Sequence, residues 1–161
     1  MQALWAPWRM AYILGEDKPD GCIFCLAQDG VGTDDLVLGV GRGSLVMMNK
    51  FPYNNAHLLV APRRHVSRLE ALETHELNDL IQLVRQATTA LTDLMRPDGF
   101  NVGLNLGRAA GAGIEEHLHF HVVPRWNGDT NFMTVLGEVR SVPEHISATK
   151  DKLKPYFKDI L

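Results

Sequence analysis

The run Glu116-His117-Leu118-His119-Phe120-His121-Val122-Val123 constrains this chain more than any other segment. Side chains alternate faces along a strand. A strand over residues 117–123 therefore sets His117, His119 and His121 on one face, about 7 Å between next neighbours. Leu118, Phe120 and Val122 point the other way, into a core. A merely structural trio of imidazoles would need a partner for every ring nitrogen, so the pattern reads as a working face. A neutral imidazole attacks phosphorus when the proton on its other nitrogen is held by an acceptor. Neighbouring rings also disfavour one another's protonation, which keeps the middle one nucleophilic near neutral pH. A flanking ring is placed to donate to phosphate oxygens.

The loop just before, Gly107-Arg108-Ala109-Ala110-Gly111-Ala112-Gly113-Ile114, is built of small residues. Such residues let backbone N–H groups approach an anion closely. Beside the histidine strand the loop reads as an oxyanion-type cradle, with Gly111, Gly113 and Ile114 as its candidate contacts. Arg108 in this loop and Arg125 past the strand are candidate guanidinium donors to phosphate.

Strand patterns also cover residues 36–40 and 44–49, joined through Gly41-Arg42-Gly43 in a hairpin signal, and residues 57–61 and 100–106. Ser67 with Glu70 reads as a capping box for a short helical turn. The clearest helix is 74–96. Leu77, Leu80, Ile81, Val84, Ala87, Leu91, Leu94 and Met95 form one apolar stripe, Thr74 is the expected cap, and Pro97 with Gly99 ends it. A C-terminal helix is expected over 143–156, with Pro143 near its first turn and Pro155 disturbing its end. The sum is an α+β domain: an antiparallel sheet of about five strands, one long helix packed on it, and a C-terminal helix.

The chain has 161 residues, 45% of them apolar, which suits one core and one domain spanning 1–161. Residues 1–20 read as an N-terminal arm and 133–161 as a C-terminal extension. Lys and Arg number 16 against 19 Asp and Glu, a formal net charge of −3. That balance argues against a general nucleic-acid binder. No stretch is long and apolar enough for a membrane span, and the N-terminus lacks signal-peptide character.

The two cysteines, Cys22 and Cys25, lie in an expected loop. A two-residue gap there suits metal or redox chemistry better than a structural disulfide, and a reducing cytoplasm is the expected location. A zinc site needs two more ligands, for which His65 and His117 are the candidates. Asn49, at a strand end, is placed to meet ribose hydroxyls.

These residues together resemble the histidine triad family. His117-x-His119-x-His121 followed by apolar residues looks like its signature, and Asn49, Pro62-x-x-His65, the cysteine pair and Asn105 fall in family order. The resemblance covers about residues 21–128. Leu4-Trp5-Ala6-Pro7-Trp8-Arg9 and the stretch 124–132 look closer to the bacterial branch resembling diadenosine tetraphosphate phosphorylases.

The resemblance implies a histidine-triad fold and roles for matching positions. His119 is the nucleophile, and His121 and Asn105 touch the reacting phosphate. Asn49 binds ribose and His57 orients the site. Cys22, Cys25, His65 and His117 hold a structural Zn²⁺. The implied substrate is an adenine nucleotide or dinucleoside polyphosphate, cleaved at the α-phosphate through a nucleotidyl-histidine with phosphate or water as acceptor. A homodimer is implied, with Trp5, Trp8 and Trp126 as interface area. In one departure, Gly113-Ile114-Glu115-Glu116 stands where many relatives carry Gly-Gln-Ser-Val with a phosphate-contacting hydroxyl. That departure argues against a simple nucleoside phosphoramidate hydrolase, which stands as an alternative by family alone, and keeps a nucleotide-binding regulator with little turnover as the other alternative. A hexose-1-phosphate uridylyltransferase relative is disfavoured, because that group carries Gln at the position of His121.

Overall fold

The computed structural model describes residues 21–30, 36–129 and 144–160. Five strands make one antiparallel sheet in the order β1-β2-β3-β5-β4. They are β1 (Val37–Val40), β2 (Ser44–Met48), β3 (Leu58–Pro62), β4 (Gly99–Leu104) and β5 (Phe120–Arg125). The helices are α1 (Ile23–Gln28), α2 (Thr74–Met95) and α3 (Ile146–Leu153).

Both faces of the sheet are covered, which explains why β2 and β3 are buried along their whole length. Alternation divides their side chains between two cores. Val46, Met48, Leu58, Val60 and Val122 face α2 and meet Leu80, Leu83, Val84, Ala87 and Leu91. Leu45, Met47, Leu59 and Ala61 face the other way and meet Phe24 and Ala27 of α1. The histidines lie on this second side.

The amphipathic stripe forms α2 as expected, with two differences. Ile81 is 52% exposed, and Leu83 and Ala90 take its place in the buried face. The cap position is Glu73 rather than Thr74. The Glu76 carboxylate accepts the Glu73 N–H at 2.8 Å, so a carboxylate satisfies an amide the helix leaves open. Arg96, in the left-handed region at φ 49°, ends the helix before Pro97.

The turn near Ser67 is a 3-10 turn, Leu69–Ala71, whose cap position is Arg68 with no side-chain cap. The C-terminal segment is α3 followed by a 3-10 turn, Lys154–Phe157, that begins one residue before Pro155. Proline at the first positions of a helical turn loses no bond there. His145 caps α3 through Ser147 N, and Pro143 lies outside the described residues. Leu153 and Phe157 complete the α2-side core. Gly39 permits this approach: a Cβ there would stand 2.6 Å from the Phe157 carbonyl oxygen.

Two further expectations change. The cysteine pair lies on α1 rather than in a loop, with Cys22 at the cap position and Cys25 in the helix. The histidine strand starts at Phe120 rather than His117, because Phe120 is the first residue flanked by both Val60 and Leu104. Upstream, the chain stays extended through Leu118 N–H donating to the Val66 carbonyl at 2.7 Å. Alternation survives: Leu118 packs on the α2 side while His117 and His119 meet Phe24 on the other.

Candidate functional site: three imidazoles beside a Cys2His2 group

Strand β5 and the chain before it distribute the three triad histidines among three local environments. His117 is fully buried. Its Nε2–H donates to the Pro62 carbonyl at 2.8 Å, which leaves Nδ1 as a lone pair. That atom lies 3.2 Å from Cys22 Sγ and 3.8 Å from Cys25 Sγ, and His65 Nδ1 lies 3.3 Å from Cys25 Sγ. The four donor atoms all fall within 4.8 Å of one another. Tetrahedral bonds of about 2.3 Å to sulfur and 2.0 Å to nitrogen require edges of about 3.5 Å. The group fits a divalent ion, and the Pro62 carbonyl is the kind of outer partner that fixes a ligand imidazole's tautomer.

The electrostatics agree. Burial pushes the His117 imidazole down to about 4. Burial, then the neighbouring Cys22, push the Cys25 thiol up to about 11. The unmetallated group therefore favours neutral donors, and a cation reverses the balance by stabilising the thiolate. Two side-chain contacts hold α1 in place: Gln28 Nε2 donates to the Arg63 carbonyl at 2.8 Å, and Arg63 Nε donates to Gln28 Oε1 at 2.9 Å.

His119 is 6% exposed. Its Nδ1–H donates to the His117 carbonyl at 2.8 Å, so Nε2 carries the free lone pair. Burial holds its pKa below the usual imidazole value, opposed in part by that carbonyl bond. A neutral ring with a directed lone pair is the state a nucleophile needs.

His121 is set by a relay. The Tyr53 backbone N–H donates to His57 Nδ1 at 3.1 Å, and the Asn49 amide nitrogen lies 3.2 Å from the same atom. His57 Nδ1 therefore accepts, and its Nε2–H donates to His121 Nδ1 at 3.0 Å. His121 is left with its proton on Nε2; the Asn105 Nδ2 amide nitrogen, also a donor, lies 3.5 Å from it, so the two N–H groups stand side by side rather than bonded to one another. A donor thus stands beside the lone pair of His119, the two rings 4.9 Å apart. Tyr53 stacks on His121 at 5.6 Å and 18°. Sequence reading missed Tyr53 and Phe24, since an aromatic in a turn or short helix carries no positional signal of its own.

Other sequence candidates fall as follows. Both ends of the Asn49 amide are used within the turn, its oxygen accepting the Phe51 N–H at 2.9 Å. The glycine loop contains a 3-10 turn, Arg108–Ala110, between Gly107 and Gly111, both at positive φ. Gly111 and Ile114 are half-buried and Gly113 exposed; the Arg108 N–H donates to the Glu115 carboxylate at 2.9 Å. The Arg125 guanidinium is committed to Asp129, at 2.6 and 2.9 Å, and to Asn101 at 2.8 Å. Trp126 is half-buried, and Trp5 and Trp8 lie outside the described residues.

An open antiparallel sheet carrying this trio beside a glycine-rich loop defines a histidine-triad domain. The model of the HIT domain matches residues 32–128, and the chain belongs to that family. It is 40% identical to an AP-4-A phosphorylase of Mycobacterium tuberculosis, over 93% of this chain and 81% of that protein. It is 28% identical to an adenosine 5'-monophosphoramidase of Schizosaccharomyces pombe, over 85% of this chain and 98% of that one. Among solved structures, a zinc-bound histidine triad family protein of Mycobacterium smegmatis superposes with a TM-score of 0.69 at 25% identity, covering 84% of this chain and 92% of that one.

Proposed function

We propose that this chain is an enzyme that cleaves dinucleoside polyphosphates of the diadenosine tetraphosphate type through a nucleotidyl-His119 intermediate, with inorganic phosphate as the preferred acceptor. The observation that carries this reading is the bond from His119 Nδ1–H to the His117 carbonyl, which leaves Nε2 free beside a donor on His121. The likeness to the mycobacterial AP-4-A phosphorylase supports the choice of substrate.

His119 Nε2 attacks the α-phosphorus, forming a P–N bond as the P–O bond to the leaving ATP breaks. His121 Nε2–H and the Asn105 amide meet the charge that builds on the phosphoryl oxygens. Phosphate then attacks the same phosphorus, releasing ADP and restoring the His119 lone pair; water in its place releases AMP. The Gly111 N–H already donates to the Arg108 carbonyl at 3.0 Å, so in the glycine loop the Ile114 N–H is the candidate further donor, with the exposed Arg108 as the cation at hand. Asn49 meets the ribose with what its turn leaves over, a second N–H and a second oxygen lone pair, and His57 keeps His121 a donor.

Cys22, Cys25, His65 and His117 would hold Zn²⁺, which there supplies structural cross-linking rather than chemistry, since four protein donors close its shell. The chain acts as a homodimer in the cytoplasm. Edge strand β4, with Val102 44% exposed and Leu106 beyond it 47% exposed, supports the first, and the unpaired thiols Cys22 and Cys25 support the second.

Product analysis in phosphate buffer tests the reading. ADP and ATP from diadenosine tetraphosphate are expected. AMP and ATP without ADP would make the protein a hydrolase, and tight AMP binding without turnover would make it a nucleotide-binding regulator.

A further inference from the structure

The residue between the two cysteines that touches the triad is Phe24. It is fully buried, and its ring lies 5.0 Å from His119 at 36° and 4.9 Å from His117 at 48°. No other aromatic ring among the described residues backs His119 except His121, on the reacting side. Among the described residues the one polar restraint on the His119 ring is the bond at Nδ1, and one bond leaves a ring free to rock about it. A flat apolar surface against the ring removes that freedom.

The position of Phe24 is itself over-determined. Cys22 and Cys25 bracket it in sequence, and both sulfurs face His117. The Gln28 amide donates to the Phe24 carbonyl at 3.3 Å while gripping the Arg63 carbonyl, so the backbone of Phe24 is tied to the end of β3. Phe24 also packs among Leu45, Met47, Leu59 and Ala61 of the sheet.

We propose that Phe24 is a positioning residue for His119: its ring, held by the Cys2His2 group and the Gln28–Arg63 clamp, fixes the plane in which Nε2 presents its lone pair. The inference rests on His119 being the nucleophile. It gives the cysteine helix a second task, since the segment that clips the metal also buttresses the reacting ring.

The test compares wild type with Phe24→Leu, which keeps an apolar side chain but not a flat face, and Phe24→Ala. Metal content, kcat and KM for diadenosine tetraphosphate, and the 15N ring resonances of His119 are read together. Phe24→Leu is expected to keep its metal and its KM while kcat falls about tenfold, because a small misplacement of a reacting group is costly. The His119 resonances are expected to move from a single Nδ1–H tautomer toward a mixture, further in Phe24→Ala. An unchanged kcat with unmoved resonances in the folded Leu variant overturns the proposal. Trapping labelled nucleotide on His119 of the wild type separates the two layers. No adduct there removes the nucleophile reading, whereas an adduct together with indifferent Phe24 variants removes only the positioning role.

Discussion

At the scale of single residues, the three triad histidines are made unlike by what holds their second nitrogen. His117 gives Nε2–H to Pro62 and turns Nδ1 to the cysteines; His119 gives Nδ1–H to a carbonyl and frees Nε2; His121 accepts at Nδ1 and so donates at Nε2. His119→Ala is expected to cut turnover by at least about a thousandfold, since a nucleophile serves the transition state. AMP affinity and the fold should persist, measured by calorimetry and circular dichroism; retained turnover would remove His119 from the role. His57→Phe keeps a ring but breaks the relay. A drop in kcat of about a hundredfold, larger than the change in KM, is expected. Equal kinetics would mean that His121 needs no partner to keep its proton.

At the scale of elements, α2 and α1 are held by different chemistry. Glu76 caps α2 and accepts from Arg64 at 2.8 Å through Nε. The Arg64 hydrogen bond, opposed by burial, lowers the Glu76 carboxyl from its ordinary 4.5 to about 2. A depressed carboxyl contributes stability that is present above pH 4.5 and lost as pH falls toward 2. Glu76→Gln should therefore cost about 1 kcal/mol at pH 7 in urea unfolding, by loss of the charged cap. The gap to wild type should close as the pH is lowered through that window. A gap that stays constant with pH would mean that charge is not what Glu76 contributes. Helix α1 is only 6 residues long, too short to be stable alone, and depends on the contacts that tie it to the sheet. Elemental analysis of protein purified without chelator should give one zinc per chain; near-zero metal with two freely titrating thiols would leave α1 held by Phe24 and the Gln28–Arg63 clamp alone.

At the scale of the whole molecule, the edge of β4, which no strand among the described residues pairs, is the place where a second copy would add most. Light scattering at micromolar concentration should return twice the 18.0 kDa chain mass; a monomer mass would leave Val102 and Leu106 as isolated surface residues. Much of the fold was legible beforehand because it is written in short-range periodicity. The stripe of α2, the Gly41-Arg42-Gly43 hairpin and the alternation from His117 to Val123 each describe neighbours within a few residues. Those patterns, with the family signature, determined the antiparallel sheet, its long helix, and which face the imidazoles occupy. They did not determine where pairing begins on the histidine strand, because that depends on Val60 and Leu104, distant in sequence. Nor did they reveal that Arg125 is already engaged by Asp129 and Asn101, or that Cys22 and Cys25 sit on a helix with Phe24 inside it. The division of labour among the histidines was likewise decided only by tertiary structure. A ring nitrogen's state is set by whichever donor or acceptor the fold brings to it, and Pro62, His57 and the cysteines arrive from elsewhere in the chain.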